Sequence, residues 1–264
     1  MFKTRLISGI ILVAIALVTI MSGGIVLLCT LGAVSLIGMQ EIYRAAGVRD
    51  QNFTSLEIAG YICTVLYYFL LWFRAGEYSS AMMILSIIVL MFVYVFSFPK
   101  YNADQVMAAY FGFMYVAVML SFIYLTRSMI DGKFIVWLIF LCSWGCDTSA
   151  YCVGMLIGKH KMAPVLSPKK SVEGAVGGVI GSAVFAVTYA AATHGPMLEY
   201  AIICACGALI SMVGDLGASA IKRNKGIKDY GTLIPGHGGI LDRFDSVIFT
   251  APVIYYLAKV LVGL

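Results

Sequence analysis

Apolar runs separated by charged or glycine-rich breaks fall near residues 6–22, 24–40, 57–73, 80–98, 105–126, 134–157, 173–193, 197–217 and 240–262. Each approaches the length of about 20 residues that crosses a hydrocarbon core about 30 Å thick, so the pattern predicts about nine transmembrane segments. Helices are the default for such runs, because a segment in lipid must satisfy its own backbone hydrogen bonds. The expected fold is all-α, a polytopic integral membrane protein with a cytoplasm-facing polar cavity in its C-terminal half. The last run is the least regular, since Asp242, Arg243 and Asp245 occupy its first turns. Three charges at that point argue for a polar cavity rather than a lone structural ion pair.

Composition agrees with this pattern. Of 264 residues 61% are hydrophobic and 12% charged, with a mean hydropathy of +0.95, whereas soluble domains are about a quarter charged. Lys3 and Arg5 precede the first run and Ser22-Gly23-Gly24 follows it, as in a signal peptide. An immediate second apolar run favours a retained helical hairpin. With the N-terminus inside, cytoplasmic segments collect Lys3, Arg5, Arg44, Arg49, Lys100, Lys159, Lys161, Lys169, Lys170, Lys222, Arg223, Lys225, Lys228 and Arg243. Only Arg74, Arg127, Lys133 and Lys259 fall on the other side. This asymmetry sets the orientation and puts both polar loops, 159–172 and 218–239, in the cytoplasm. The net charge of +5 suits anionic lipid headgroups, and no basic and aromatic surface outside the bilayer suggests nucleic acid. Seven cysteines all lie within the apolar runs, which argues against a disulfide framework or a zinc site.

Chemistry is unevenly distributed. Residues 1–133 read as N-terminal scaffold helices, and 134–264 as a C-terminal catalytic region. Glu41 and Arg44, three apart at a helix end, read as an interfacial pair. Pro99 and the run Lys100-Tyr101-Asn102-Ala103-Asp104 mark a turn and a new helix. Gly154 with Gly158, and Gly177 with Gly181, place glycines on one helix face and allow close helix packing. The stretch from Gly154 to Lys159 lacks the spacing of a Walker motif.

Three constellations stand out. Asp147-Thr148-Ser149-Ala150-Tyr151 lies about midway along an apolar run, where an acid is costly unless it meets a partner or water. Ser167-Pro168-Lys169-Lys170-Ser171-Val172-Glu173 precedes another run; Ser171 can cap that helix, and Glu173 falls in its first turn. Lys169 and Lys170 beside a helix N-terminus make an anion-binding arrangement; the alternative is anchoring at the membrane surface.

The third constellation is the densest. The chain has 18 Lys and Arg and 13 Asp and Glu, and eight of these fall between Ser219 and Ser246. Asp215, Ser219 and Lys222, spaced four and three apart, share one helical face. Asp242 and Asp245 repeat that logic at the start of the last run. Between them Pro235-Gly236-His237-Gly238-Gly239 can bend tightly and bring backbone N–H groups to a phosphate. The carboxylates can bind a hard divalent cation that bridges to phosphates, and the lysines and arginine nearby neutralise what the metal does not. His237 reads equally as an acid or phosphate donor and as a merely hydrogen-bonded loop residue.

These residues resemble the phosphatidate cytidylyltransferase (CDP-diacylglycerol synthase) family. The resemblance rests on Ser219, Ile221, Lys222-Arg223, Lys228-Asp229, Gly231, Ile234-Pro235, His237-Gly238-Gly239, Ile240, Asp242-Arg243, Phe244 and Asp245, with Asp147–Tyr151 and Ser167–Gly174 as upstream motifs. It implies a nucleotidyltransferase that joins CTP and phosphatidate to give CDP-diacylglycerol and pyrophosphate. The lipid phosphate attacks the α-phosphorus with metal assistance at the cytoplasmic face of a bacterial inner membrane. It also implies Mg²⁺ held by Asp147, Asp215, Asp242 and Asp245, with K⁺ as a second cation. Asp215, Asp242 and Lys222 would carry catalysis. Substrate binding would fall to Ser167, Lys169, Lys170, Ser171, Ser219, Arg223, Lys225, Lys228, His237 and Arg243. A homodimer is compatible with the resemblance. The alternatives are a CTP-dependent polyprenol kinase or related CDP-lipid synthase and, in another class, a transporter or channel, which would move solute without consuming nucleotide.

Overall fold

The computed structural model describes residues 2–49, 52–74 and 78–263. The side chains of residues 2–6 and Arg74, and with them the Lys3, Arg5 and Arg74 contributions to the charge asymmetry, lie outside the described residues. The chain parts into two compact units, one of Met1–Leu125 with Lys225–Arg243, the other of Thr126–Asn224 with Phe244–Leu264.

The first unit holds α1 (Phe2–Ser22), α2 (Gly24–Ala46), α3 (Ser55–Arg74), α4 (Ser79–Phe96), α5 (Ala103–Gly112), a π-helical turn (Phe113–Val118) and the start of α6 (Met119–Arg127). The turn expected near Pro99 is followed by a capping box. Asn102 accepts the Gln105 N–H at 2.9 Å while the Gln105 side chain accepts the Asn102 N–H at 3.1 Å, which satisfies two donors at the start of α5. The π-helical turn interrupts what the apolar pattern reads as one helix. Its surroundings are tyrosine-rich: Tyr68 donates to the Ala117 carbonyl at 3.2 Å and Tyr43 to the Ala109 carbonyl at 2.9 Å, both buried. Such hydroxyls complement carbonyls that a change of helical register leaves badly aligned.

The second unit holds α7 (Gly132–Ile157), a hairpin of β1 (Lys161–Ala163) and β2 (Ser167–Ser171), α8 (Val172–Thr193), α9 (Met197–Asn224) and all but the first residues of α10 (Leu241–Leu261). β1 and β2 run antiparallel, Lys161 opposite Ser171 and Ala163 opposite Ser167. The core is the triple contact of α7, α8 and α9. Small residues set its closeness: a Cβ on Gly178 would lie 2.8 Å from Cys146 Sγ, one on Gly177 2.5 Å from Val153, and Gly181 faces Ser149. The glycine face expected from Gly177 and Gly181 is thus where α7 packs, since backbone approach is what helix association in lipid rewards. Likewise Gly207 and Gly214 on α9 admit Ile254 and Phe249 of α10.

Gly178→Val would overpack this contact. The expected cost is about 1–3 kcal/mol, read as a lower melting temperature of the detergent-solubilised protein; an unchanged melting temperature would show that α7 and α8 can separate without loss.

Among the described residues eight helical stretches are long and apolar enough to span a membrane, and Ile7–Ser22 is a shorter apolar helix. Together they correspond to the nine runs of the sequence, and the chain is an integral membrane protein of the all-α class. Two helices run clearly past their apolar runs, α2 beyond 40 to Ala46 and α9. α9 continues past the apolar run at 217 to Asn224, because Lys222 and Arg223 are good helix formers and their charge suits a helix C-terminus.

Candidate active site

In the second unit, α7, β2, α8 and α9 enclose a cavity of about 520 Å³. Asp147, Ser167, Lys169, Lys170, Ser171 and Asp215 all line it, although they are scattered over some seventy positions of the chain. Met155, Met162 and Met212 supply apolar wall. Lys170 on β2 forms an ion pair with Asp215 on α9. Asp147, exposed on α7, opens onto the same space.

Local structure explains how the hairpin is held there. Ser171 is the N-cap of α8, its hydroxyl accepting the Gly174 N–H at 3.1 Å, as the sequence suggests. Glu173, in the first turn of α8, does more than favour the dipole. Its carboxylate accepts the backbone N–H groups of Lys159 at 3.0 Å and His160 at 3.2 Å, and its Oε1 lies 2.5 Å from His160 Nδ1. It thereby ties the chain leaving α7 to the helix that begins after the hairpin. Gly158 and Gly154 sit against the Ser171 hydroxyl, leaving no room for a side chain at Gly158.

Asp215, Ser219 and Lys222 lie on the continuous helix α9, on one face as expected. Asp245, one turn into α10, feels the charges of Asp215, Lys222 and Asp147. Asp147 of α7 and Asp215 of α9 thus both act on Asp245 of α10. Among the described residues, however, no three His, Cys, Asp or Glu side chains form a group able to hold a metal ion alone. Ser219 and Arg223 do not line the cavity; Lys222 is half-buried and Arg223 exposed.

The remaining candidates belong to the first unit, on the loop that leads into α10. Lys225, Lys228 and Arg243 are exposed and His237 is half-buried. The bend at 235–239 forms as expected. The His237 N–H donates to the Ile234 carbonyl at 2.9 Å around Pro235 and Gly236, whose φ is 80°. Proline followed by a residue of positive φ is the type II turn pattern. His237 then packs near Gly9 of α1, and Ser8 donates to the Pro235 carbonyl at 2.9 Å.

The amides of this bend are used differently from the expectation that they face a phosphate. Asp242, 6% exposed, accepts the Tyr230 N–H at 2.8 Å and the Gly239 N–H at 2.9 Å on one oxygen. The next two N–H groups, of Ile240 and Leu241, donate to Glu41 of α2 at 3.0 and 2.9 Å. The start of a helix carries unpaired donors, which Glu41 reaches here, while Asp242 takes amides of the loop before it. Glu41, which the sequence pairs with Arg44, does feel the Arg44 charge and is in addition a buried cap of α10. Its sole signal in the sequence was an acid at the end of an apolar run.

The arrangement of acids, lysines and hydroxyls around one cavity suits phosphate chemistry, and comparison with other proteins agrees. A family model described as the cytidylyltransferase family matches residues 3–261. A phosphatidate cytidylyltransferase of Staphylococcus aureus (strain COL) is 33% identical over 262 residues, which cover 97% of this chain and 98% of that protein. Those of Staphylococcus saprophyticus and Staphylococcus epidermidis are each 32% identical over 260 residues, with the same coverage. The match runs through the N-terminal helices as well as the polar segments, and on that ground this chain belongs to the cytidylyltransferase family.

Proposed function

We propose that this chain is a phosphatidate cytidylyltransferase, converting CTP and phosphatidate to CDP-diacylglycerol and pyrophosphate. The observation that carries the reading is the cavity that collects Asp147, Asp215, Lys169, Lys170, Ser167 and Ser171, in a chain similar from end to end to proteins of that name. In the reaction a phosphate oxygen of the lipid forms a bond to the α-phosphorus of CTP. The bond from that phosphorus to the oxygen bridging toward the β-phosphorus breaks, and pyrophosphate leaves with the electron pair.

Both reactants are anions, so the first task of the site is to neutralise them. Lys169 and Lys170 are placed to meet phosphate oxygens. Lys170 already pairs with a carboxylate, Asp215, so an arriving phosphate competes for it. Ser167 and Ser171 add hydroxyls to the cavity wall. On α9, Ser219 and Lys222 continue the same face from Asp215, and Lys222 acts on Asp245. Lys225, Lys228, Arg223 and Arg243 contribute further positive charge near the polar loop, where a triphosphate is attracted.

The donor set also fits a divalent cation. Asp147, Asp215 and Asp245 offer hard oxygen donors; the first two repel the third, and an added cation relieves that repulsion. Mg²⁺ characteristically takes one or two carboxylates and completes its shell with phosphates and water, which suits a site without a three-ligand cluster. K⁺ is the second cation the family resemblance implies. When bound, such cations supply charge neutralisation on the triphosphate and the leaving group. The charge asymmetry of the loops supports an N-terminus and a site facing the cytoplasm, in the plasma membrane of a bacterium.

The test is an assay of purified protein in mixed micelles with labelled CTP and phosphatidate. The expected products are CDP-diacylglycerol and pyrophosphate, lost on adding EDTA and restored by excess Mg²⁺. CDP with a phosphorylated lipid alcohol would instead mark a polyprenol kinase.

A further inference from the structure

Glu41 lies on α2, in the part of the chain where the sequence carries no motif. Its side chain is buried, 5% exposed, and each of its two oxygens accepts one backbone N–H from residues 199 and 200 positions away. A carboxylate bound in this two-pronged way to consecutive amides orients the peptide planes it touches, because both bonds weaken if either plane turns. The loop is built to receive it. A Cβ at Gly231 would lie 2.5 Å from Glu41 Oε1, and Gly239 also rests against the carboxylate. Both glycines belong to the polar segment that bears Lys228 and His237. Asp242 closes the same loop from within through the Tyr230 and Gly239 amides. The negative charges of Glu41 and Asp242 act on each other, a repulsion tolerated because four backbone N–H groups are aimed at them.

We infer that Glu41 is a positioning residue for nucleotide binding: by holding the Ile240 and Leu241 amides it fixes the 226–240 loop in the shape that presents Lys228 to the triphosphate. The inference rests on the proposed cytidylyltransferase reaction for its substrate, but not for its geometry. Glutamine keeps the length of the side chain yet replaces one accepting oxygen by an NH₂ group, which meets an N–H donor to donor. The side chain can then hold only one of the two amides.

The experiment compares wild type with Glu41→Gln and the milder Glu41→Asp, all as full-length protein in lipid nanodiscs. Hydrogen exchange reads the loop without reference to activity. Peptides covering 226–241 should exchange faster in Glu41→Gln, while peptides of α7, α8 and α9 keep wild-type protection. Steady-state kinetics should then show KM for CTP raised about tenfold, the penalty expected for one lost charge-assisted hydrogen bond, with kcat and KM for phosphatidate nearly unchanged. Glu41→Asp should fall between the two. A purely structural role would lower kcat per mole of protein and leave both KM values alone, and that result would overturn the inference. Unchanged exchange in 226–241 would overturn it too. If Glu41→Gln lost protection throughout, Glu41→Asp would be read by the same two criteria. If wild type itself made no CDP-lipid, the substrate assignment would fail while the exchange result still judged the clamp.

Discussion

Asp215→Asn is expected to insert and fold as wild type and to lose CDP-diacylglycerol formation by roughly 100-fold or more, the scale on which charged groups at such sites act. The two halves of that expectation come from different observations. Folding is spared because asparagine keeps the volume of aspartate and because the ion pair it breaks is partly solvated. Lys170 and Asp215 are 25% and 26% exposed, and exposed pairs contribute about 1 kcal/mol or less. Activity is lost because Asp215 lines the cavity beside Asp147 and Lys170 and its charge acts on Asp245. It pairs with Lys170 and acts on Asp245. The check is product formation beside a melting curve on the same preparation. An inactive but unfolded variant, or a folded one with wild-type turnover, would each contradict the expectation.

Asp242→Ala should fail differently, through stability. Removing the carboxylate leaves the buried Tyr230 and Gly239 amides without the acceptor they share. Leaving a buried donor unsatisfied costs about 1–3 kcal/mol, so a loss of roughly 3 kcal/mol is expected for the pair, together with loss of activity. Asp242→Asn retains one oxygen in the same place and can accept both amides, so it should melt within a few degrees of wild type. Thermal unfolding of the two variants measured side by side decides this. Equal melting temperatures for alanine and asparagine would mean that the loop holds its shape without Asp242.

Much of the architecture was legible because a membrane leaves few options. An apolar run in lipid must be helical, so the runs translate directly into spans, and glycines four apart translate into helix contact. The same holds for the local signals at Ser171 and Asn102, where a side chain and a backbone donor lie three residues apart and the geometry is fixed by the chain itself. The hairpin of β1 and β2 was not visible. Its residues, Lys161–Ala163 and Ser167–Ser171, include few strand formers, and Glu173 and the packing on α8 hold it in place. The π-helical turn was equally hidden, since a change in hydrogen-bond register leaves apolar content unaltered.

The site was legible in part for the same reason. Asp147, Lys169, Lys170 and Asp215 share a cavity because each stands where α7, β2 and α9 converge, and an acid within an apolar run is costly enough to advertise itself. What could not be read was competition for donors. The bend at 235–239 has the glycines to present amides to an anion, yet its Gly239 amide goes to Asp242, and the next two amides go to Glu41, nearly 200 positions away. Glu41 illustrates the point, since its neighbours in sequence say nothing of the helix it caps.

The central claim is that Asp215, with Asp147 and Asp245, gathers a divalent cation onto which the triphosphate of CTP is drawn. Its most direct test is binding of Mn²⁺, as a paramagnetic stand-in for Mg²⁺, to nanodisc-embedded protein with and without CTP. The protein-bound signal is compared between wild type and Asp215→Asn. The account predicts CTP-dependent Mn²⁺ retention by wild type and an affinity weaker by roughly 10–100-fold in the variant. Equal retention by both proteins would contradict it.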